Sequence, residues 1–229
     1  MKAYVIAIEG HEESQAAKER LLQSSRELGN EFEIEEFSAV TPKDLPMAQQ
    51  VPWNWPIAGS EKCSVSGLTK HAYKTKVIEN RIACAVSHLS LWEHCWHIRE
   101  PILILEHDAI FIKQLNPQFI LDSDYECVGL NNPLGATRRA ALFCVGVGKE
   151  SGKIVPIPVV DNEDVPQGMA GNSAYIIKPE AALKAMVTVR KVGLWPNDAL
   201  LCRQLIPHMG VTRQFFTNIQ KNLTSTTTC

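Results

Sequence analysis

The sequence has no Cys-x-x-Cys pair, no excess of basic charge, no internal repeat and no apolar run approaching the roughly 18 residues of a membrane span. Its seven cysteines (Cys63, Cys84, Cys95, Cys127, Cys144, Cys202 and Cys229) are odd in number and irregularly spaced. Several stand in apolar contexts, as small buried hydrophobes do, which excludes a disulfide framework and a zinc ribbon and points to a reducing cytosol. With 23 Lys+Arg against 25 Asp+Glu, the net −2 excludes a protein that coats nucleic acid through bulk charge. No basic-then-apolar leader precedes the first strand, so the expectation is a cytoplasmic chain without a transmembrane segment. Asn222-Leu223-Thr224 matches a glycosylation acceptor only by chance in that compartment. Hydrophobic residues at 45% and charged residues at 21% exclude collagen, coiled coil and wholesale disorder.

What is present suits one large domain, since 229 residues can bury about 70% of their unfolded surface without metal or disulfides. The near-neutral total conceals an asymmetry. Residues 165–229 carry seven basic side chains against Glu180 and Asp198, net +5, which leaves net −7 for residues 1–164. A solvated basic face and a surface that meets phosphate both fit that pattern.

Tyr4-Val5-Ile6-Ala7-Ile8 reads as a buried parallel strand, followed by a helix capped by Ser14 and stopped by Gly29. Residues 32–42 bring a second strand, completing a right-handed βαβ start. Residues 43–75 lack periodicity and are punctuated by Pro46, Pro52 and Pro56, with Trp53 and Trp55 between them; such a loop is either functional or a flap over the core. Helical spacing returns from Val77 to His97, and Pro101 ends it. Ile102-Leu103-Ile104-Leu105 is the most strand-like stretch and runs directly into Glu106-His107-Asp108. Further strands are expected at 125–130, 141–147, 153–160 and 171–177. Helices are expected from Pro179 to about Thr188 and from Asp198 to about Ile206, with a polar, turn-like end from Thr217 and a frayed tail over 221–229. The alternation predicts an α/β, Rossmann-type sandwich with a mostly parallel central sheet and helices on both faces. Ligands in such sheets bind beyond the carboxyl ends of strands, which directs attention to Glu106.

Glu106 and Asp108 form a Glu-x-Asp pair at the mouth of a buried strand, where like charges repel. Mg2+ or Mn2+ removes that conflict, while an ordinary solvated turn needs no ion. His94 and His97, with Cys95, are read as surface and core residues.

Arg81-Ile82-Ala83-Cys84-Ala85-Val86-Ser87-His88-Leu89-Ser90-Leu91-Trp92, followed ten residues later by Ile102-Leu103-Ile104-Leu105-Glu106-His107-Asp108, resembles glycosyltransferase family 25, the lipooligosaccharide- and collagen-type sugar transferases. A Cys-x-x-Ser-His helix there precedes a strand ending in Leu-Glu-Asp-Asp. Phe37-Ser38-Ala39-Val40, Gly171-x-x-Ala174-Tyr175-Ile176-Ile177 with Ala181-Ala182, and Pro196-x-Asp198 agree, so the resemblance spans roughly residues 2–220. His107 stands where the family has a second acid, Arg81 where it usually has Glu, and Glu9-Gly10 where it has Asn-Leu.

The resemblance implies a GT-A-like domain over 1–229, with a donor half to about 115 and an acceptor half over about 116–220. It implies a nucleotide-sugar donor, most often a UDP-sugar, a divalent cation on the diphosphate, and inversion at the anomeric carbon. Asp108 and Glu106 would hold the metal, and Glu106 would touch metal or ribose. Ala39 and Val40 would line the nucleobase pocket, their alternative being plain core, and Ser87 and His88 would lie on the donor side. Asn172, Trp53 and Trp55 would meet the acceptor. Asp198 is the general base or an acceptor contact, its plainer alternative being an N-cap, and a member of the acidic loop Asp161, Glu163 and Asp164, with Asp164 chosen, is the other candidate base. The acceptor hydroxyl belongs to a saccharide or similar molecule. A hydroxymethylated base in DNA is a second reading, on the basic 165–229 segment and the two tryptophans. A non-catalytic nucleotide-sugar-binding relative is the third, on His107 alone.

Overall fold

The structure, a computed structural model, describes residues 1–134, 139–221 and 223. Strand β1 (Lys2–Ala7), helix α1 (Glu12–Glu27) and strand β2 (Ile34–Ser38) form the opening βαβ unit, with β1 and β2 parallel. Helix α1 begins earlier than Ser14. His11 is its N-cap and accepts the Ser14 N–H at 3.2 Å, while the Ser14 hydroxyl accepts from the backbone of Ile8 at 2.9 Å.

The proline-punctuated stretch contains the short helix α2 (Leu45–Ala48) and a hairpin of β3 (Ser60–Lys62) and β4 (Thr69–His71). A fully buried lysine anchors it. Lys70 donates to the Asn54 carbonyl at 3.0 Å and side-chain oxygen at 2.8 Å, reaches Glu61 at 3.2 Å, and lies 5.7 Å from the centre of the Trp195 ring. Then come α3 (Ile78–Ile98), β5 (Ile102–Glu106), β6 (Ala109–Phe111), α4 (Gln118–Leu121), β7 (Cys127–Gly129), α5 (Ala140–Lys149), β8 (Ile154–Pro156), β9 (Ala174–Ile177), α6 (Pro179–Val192), α7 (Asn197–Leu200), β10 (Met209–Thr212) and β11 (Thr217–Ile219).

Seven strands make one sheet in the order β2-β1-β5-β9-β7-β10-β8. Strands β2, β1, β5, β7 and β10 share a direction, and β9 and β8 run against them. Alternate residues serve opposite faces. Tyr4, Ile6, Ile102, Ile104 and Tyr175 join one core with α3 and α6, while Val5, Leu103, Leu105 and Ile176 join another with Leu21 of α1, Phe111 and Ile120. This is the expected α/β sandwich, with helices on both faces. Because β9 lies between β5 and β7, the two expected halves of the chain share a single sheet.

Four local expectations are corrected. Residues 140–149 are helical, because Phe143 and Val147, four apart, are the positions that α5 buries. Within 153–160 only Ile154–Pro156 is strand. The helix at Asp198 stops at Leu200, since Gly168 pairs with Cys202 and pulls the chain out of helical register. Thr217–Ile219 is a strand paired antiparallel with β6, not a turn. The six described cysteines are free, and no described helix is long and apolar enough to cross a membrane. The glycosylation match at Asn222 and Thr224, Cys229 and most of the frayed-tail segment lie outside the described residues.

Candidate active site

Strand β5 is fully buried from Ile102 to Leu105 and emerges at Glu106. The Glu106 N–H donates to the Ser173 carbonyl at 2.8 Å and the His107 N–H to Ile6 at 3.1 Å, so β1 and the entry to β9 fix the strand end from both sides. The chain then turns through Asp108 into β6. Gln220 holds this turn. Its backbone N–H donates to Asp108 at 2.8 Å, and its side-chain amide donates to the carbonyls of His107 (3.1 Å), Ala109 (2.9 Å) and Ala17 (2.8 Å). Arg20 Nε donates to Gln220 Oε1 at 2.7 Å, which fixes the orientation of that amide.

Carboxylates gather beside this turn without matching donors. Asp108 Oδ1 is buried with no hydrogen-bond partner, and burial, then the charge of Glu106, push its carboxyl up to about 7 against a lowering bond from Ser173. Asp198 is half-buried at the start of α7, and its Oδ1 is itself buried and unpartnered among the described residues. Burial raises its pKa, Arg81 opposes the rise, and Glu106 adds to it. Both side-chain polar atoms of Asn172 are buried and unpartnered as well. Unsatisfied buried oxygens of this kind cost several kcal/mol each unless a ligand satisfies them. Hard carboxylate oxygens of this kind, with the charge of Glu106 acting on both aspartates, fit a divalent cation of the Mg2+/Mn2+ class.

Behind Glu106 runs a buried hydrogen-bond chain. Trp92 Nε1–H donates to the Tyr175 hydroxyl at 2.8 Å, that hydroxyl meets His88 Nδ1 at 2.8 Å, and His88 Nε2 meets Glu106 Oε1 at 3.1 Å. An indole only donates and a carboxylate only accepts, so the phenol donates to Nδ1 and Nε2–H donates to Glu106 in the neutral ring. The His88 ring stacks on Tyr175 at 5.7 Å between centroids. Ser87 joins helix to strand, donating to Ala83 at 3.0 Å and accepting the Val40 N–H at 2.9 Å. Ala39 donates to Ala7 at 2.8 Å, which places Ala39 and Val40, both half-buried, at the carboxyl end of β2.

The structure therefore brings Glu106, Asp108, His88 and Asp198 into one electrostatic neighbourhood, in which Cys84 and Arg81 also stand. Other expected residues lie apart. Asp164 is exposed and accepts from the Thr69 hydroxyl at 2.7 Å, tying its loop to β4. Trp55 is core: it meets Trp195 edge-on at 5.3 Å and donates to His71 at 3.0 Å. Trp53 is half-buried, bridges to Leu194, and has an unpartnered Nε1. His107 is lowered by burial, and the charged groups that act on it are Glu106, His11 and Glu13, on the side of the β1–α1 connection. His94 bonds the Tyr4 hydroxyl at 2.8 Å, as a packed residue does.

Sequence reasoning missed Tyr175, Trp92, Cys84, Asn197, Arg20 and Gln220. Tyr175 looked like one more apolar position of a strand, and Gln220 like part of a polar end. Only the spacing Cys84–His88, one helical turn, signalled a shared face.

Residues 1–135 match the profile of glycosyltransferase family 25 (LPS biosynthesis protein). Among solved structures, the chain is similar to an active-site mutant of LgtC at 10% identity, over 92% of this chain and 72% of that one, with a TM-score of 0.44. It is similar at 11% identity to the galactosyltransferase LgtC in complex with donor and acceptor sugar analogs, over 92% and 73%, with a TM-score of 0.45. A search of curated protein sequences gives no match. With the family profile covering more than half of its length, the chain belongs to glycosyltransferase family 25.

Proposed function

We propose that this glycosyltransferase is inverting and cation-dependent, moving a sugar from a UDP-sugar to a hydroxyl of a lipopolysaccharide-type saccharide. One observation carries the reading: Asp108, just past the carboxyl end of a parallel strand, and Asp198, at the start of α7, each present a buried, unpartnered carboxylate oxygen, and the charge of Glu106 acts on both. When bound there, a Mg2+ or Mn2+ ion supplies positive charge to the departing diphosphate.

The protein's own residues do the rest. Ala39 and Val40 border the nucleobase, and the chain from Trp92 through Tyr175 and His88 holds Glu106 in one orientation. Asp198, raised by burial, is the general base. As the acceptor oxygen bonds to the anomeric carbon, the bond from that carbon to the diphosphate oxygen breaks. The hydroxyl proton passes to Asp198, and the nucleoside diphosphate leaves with the electron pair. Asp198 is preferred to Asp164, which is exposed and occupied by Thr69. Asn172 lies at the entry to β9 and suits a donor or acceptor hydroxyl.

A saccharide acceptor is preferred to a DNA base because three of the seven basic side chains of 165–229 are engaged internally and Trp55 is packed in the core. Lys178 donates to Leu121 and Ser123, Lys184 to Glu126, and Arg203 to Ile157, while Trp55 is buried edge-on against Trp195. The test is release of UDP from a panel of UDP-sugars with Mn2+ or with EDTA. Cation-dependent release that Asp108→Ala abolishes is expected. Release that ignores both EDTA and that substitution overturns the reading.

A further inference from the structure

Cysteine spacing alone gave no reason to expect a thiol-bound metal, yet the fold assembles one mixed donor set. Cys84 and His88 are four residues apart on α3 and share a face. Glu106 meets that face from the end of β5, and a ligand atom of each residue lies within 4.8 Å of the others. Four-coordinate metal–ligand bonds of about 2.0–2.3 Å put ligand atoms roughly 3.5 Å apart, so side-chain adjustments of about 1 Å close the set. One thiolate, one imidazole and one carboxylate, with a fourth position for water, suit Zn2+ rather than Mg2+.

We propose that Cys84, His88 and Glu106 form a thiophilic site for a Zn2+-class ion, distinct in its ligands from the oxygen site of Asp108 and sharing only Glu106 with it. The surroundings support it. The Tyr175 hydroxyl contacts His88 Nδ1, the nitrogen opposite the proposed ligand atom, and orients the ring as partners of metal-bound histidines do. Asn197 Oδ1, 3.7 Å from Cys84 Sγ, borders the thiol. Burial, then Glu106 and Asp198, hold the free thiol well above its usual range, with Arg81 opposing and Asp108 adding; three carboxylates against one guanidinium favour a cation there, and a coordinating thiol gives up its proton. Binding releases that proton, and the His88 proton moves from Nε2 to Nδ1 while the Tyr175 hydroxyl rotates its own proton off Nδ1 and turns from donor to acceptor, so the ring stays neutral.

The shared carboxylate gives the site a consequence, which rests on reading Glu106 as a ligand of the hard cation. An ion held by Cys84 and His88 takes Glu106 away from Asp108. Zn2+ then suppresses Mn2+-supported transfer, and since Zn2+ outranks Mn2+ for nitrogen and sulfur donors, trace amounts suffice.

The experiment uses the full chain with Co2+ as the spectroscopic probe. A thiolate-to-cobalt charge-transfer band is expected in the unmodified protein, displaced by Zn2+ and lost in both Cys84→Ser and Cys84→Ala, with circular dichroism confirming that each variant is folded. In parallel, with each protein scaled to its own Zn2+-free, Mn2+-dependent rate, the Zn2+ concentration needed for half-inhibition should rise at least about tenfold in Cys84→Ser. A cobalt band that survives in both variants, or no band at all, overturns the proposal. A Cys84-dependent band in a protein that turns over no donor keeps this site and refutes the glycosyl-transfer reading instead.

Discussion

Replacing Asp108 with asparagine should stabilise the cation-free protein while it removes cation binding. The carboxyl sits at about 7 in the folded chain, against an ordinary 3.8, because burial and then Glu106 disfavour its charged form. The folded state therefore holds a proton that the unfolded chain releases between about pH 4 and pH 7. Stability falls as pH rises through that window and levels off above it, the reverse of a salt-bridged aspartate. At about 1.4 kcal/mol per unit, the full penalty is about 4 kcal/mol. An asparagine keeps the buried polar group and removes only the charge, so a gain of about 2 kcal/mol is expected, or about 4–8 °C in a chain of this size. Thermal unfolding with EDTA at pH 5 and pH 8 reads it. The advantage of Asp108→Asn should widen from pH 5 to pH 8, and Mn2+ at pH 8 should raise the melting temperature of the unmodified protein but not of the variant. A difference that stays constant between the two pH values, or Mn2+ stabilising both proteins equally, refutes the reasoning.

Three further outcomes follow from the same geometry. Tyr175→Phe leaves the Trp92 N–H without its acceptor and His88 Nδ1 without its donor, so unfolding should cost about 1–3 kcal/mol less by denaturant titration and UDP release should fall about tenfold. A Cβ at Gly168 would collide with the Asp198 carbonyl oxygen; Gly168→Ala should destabilise by about 1–3 kcal/mol and lower turnover with little change in Mn2+ affinity by calorimetry. Gln220→Ala unclamps the turn that carries Asp108 and should weaken Mn2+ binding about tenfold in the same calorimetric assay.

The sheet and its ligand-binding end were legible because they depend on local pattern. Four consecutive apolar residues at 102–105, bounded by Pro101 and Glu106, specify a strand buried on both faces whatever surrounds it. The Glu106–Asp108 pair was legible for the same reason, lying within three residues. Asp198 needed the resemblance, because an acid after a Trp-Pro turn is equally an N-cap. The hydrogen-bond chain was illegible. It depends on Tyr175 lying across from Ile104 in an antiparallel register, and strand order is a property of the whole sheet. Residues 140–149 failed for a third reason: Phe143, Val145 and Val147 alternate like a strand, and only the exposure of Val145 separates a helix that buries every fourth residue from a strand that buries every second.

The three departures from the family pattern also acquire physical meaning. His107, in place of an acid, is lowered by burial while Glu106, ahead of His11 and Glu13, acts on its charge, and the exchange still leaves the two carboxylates Glu106 and Asp108 at the strand end. Gly10 adopts φ +70°, a left-handed conformation that favours glycine, and turns the chain into His11 and α1. Arg81 has the largest effect on the site. Its guanidinium opposes the upward shift that burial gives Asp198, stacks over Tyr73 at 4.8 Å and bonds Thr75 at 2.9 Å, so a basic residue held by the 43–75 loop acts on the proposed base. A glutamate there would raise Asp198 further and add to the charge of Glu106 and Asp108. The arginine thus favours the ionised form of Asp198, the form a general base needs before it can take a proton.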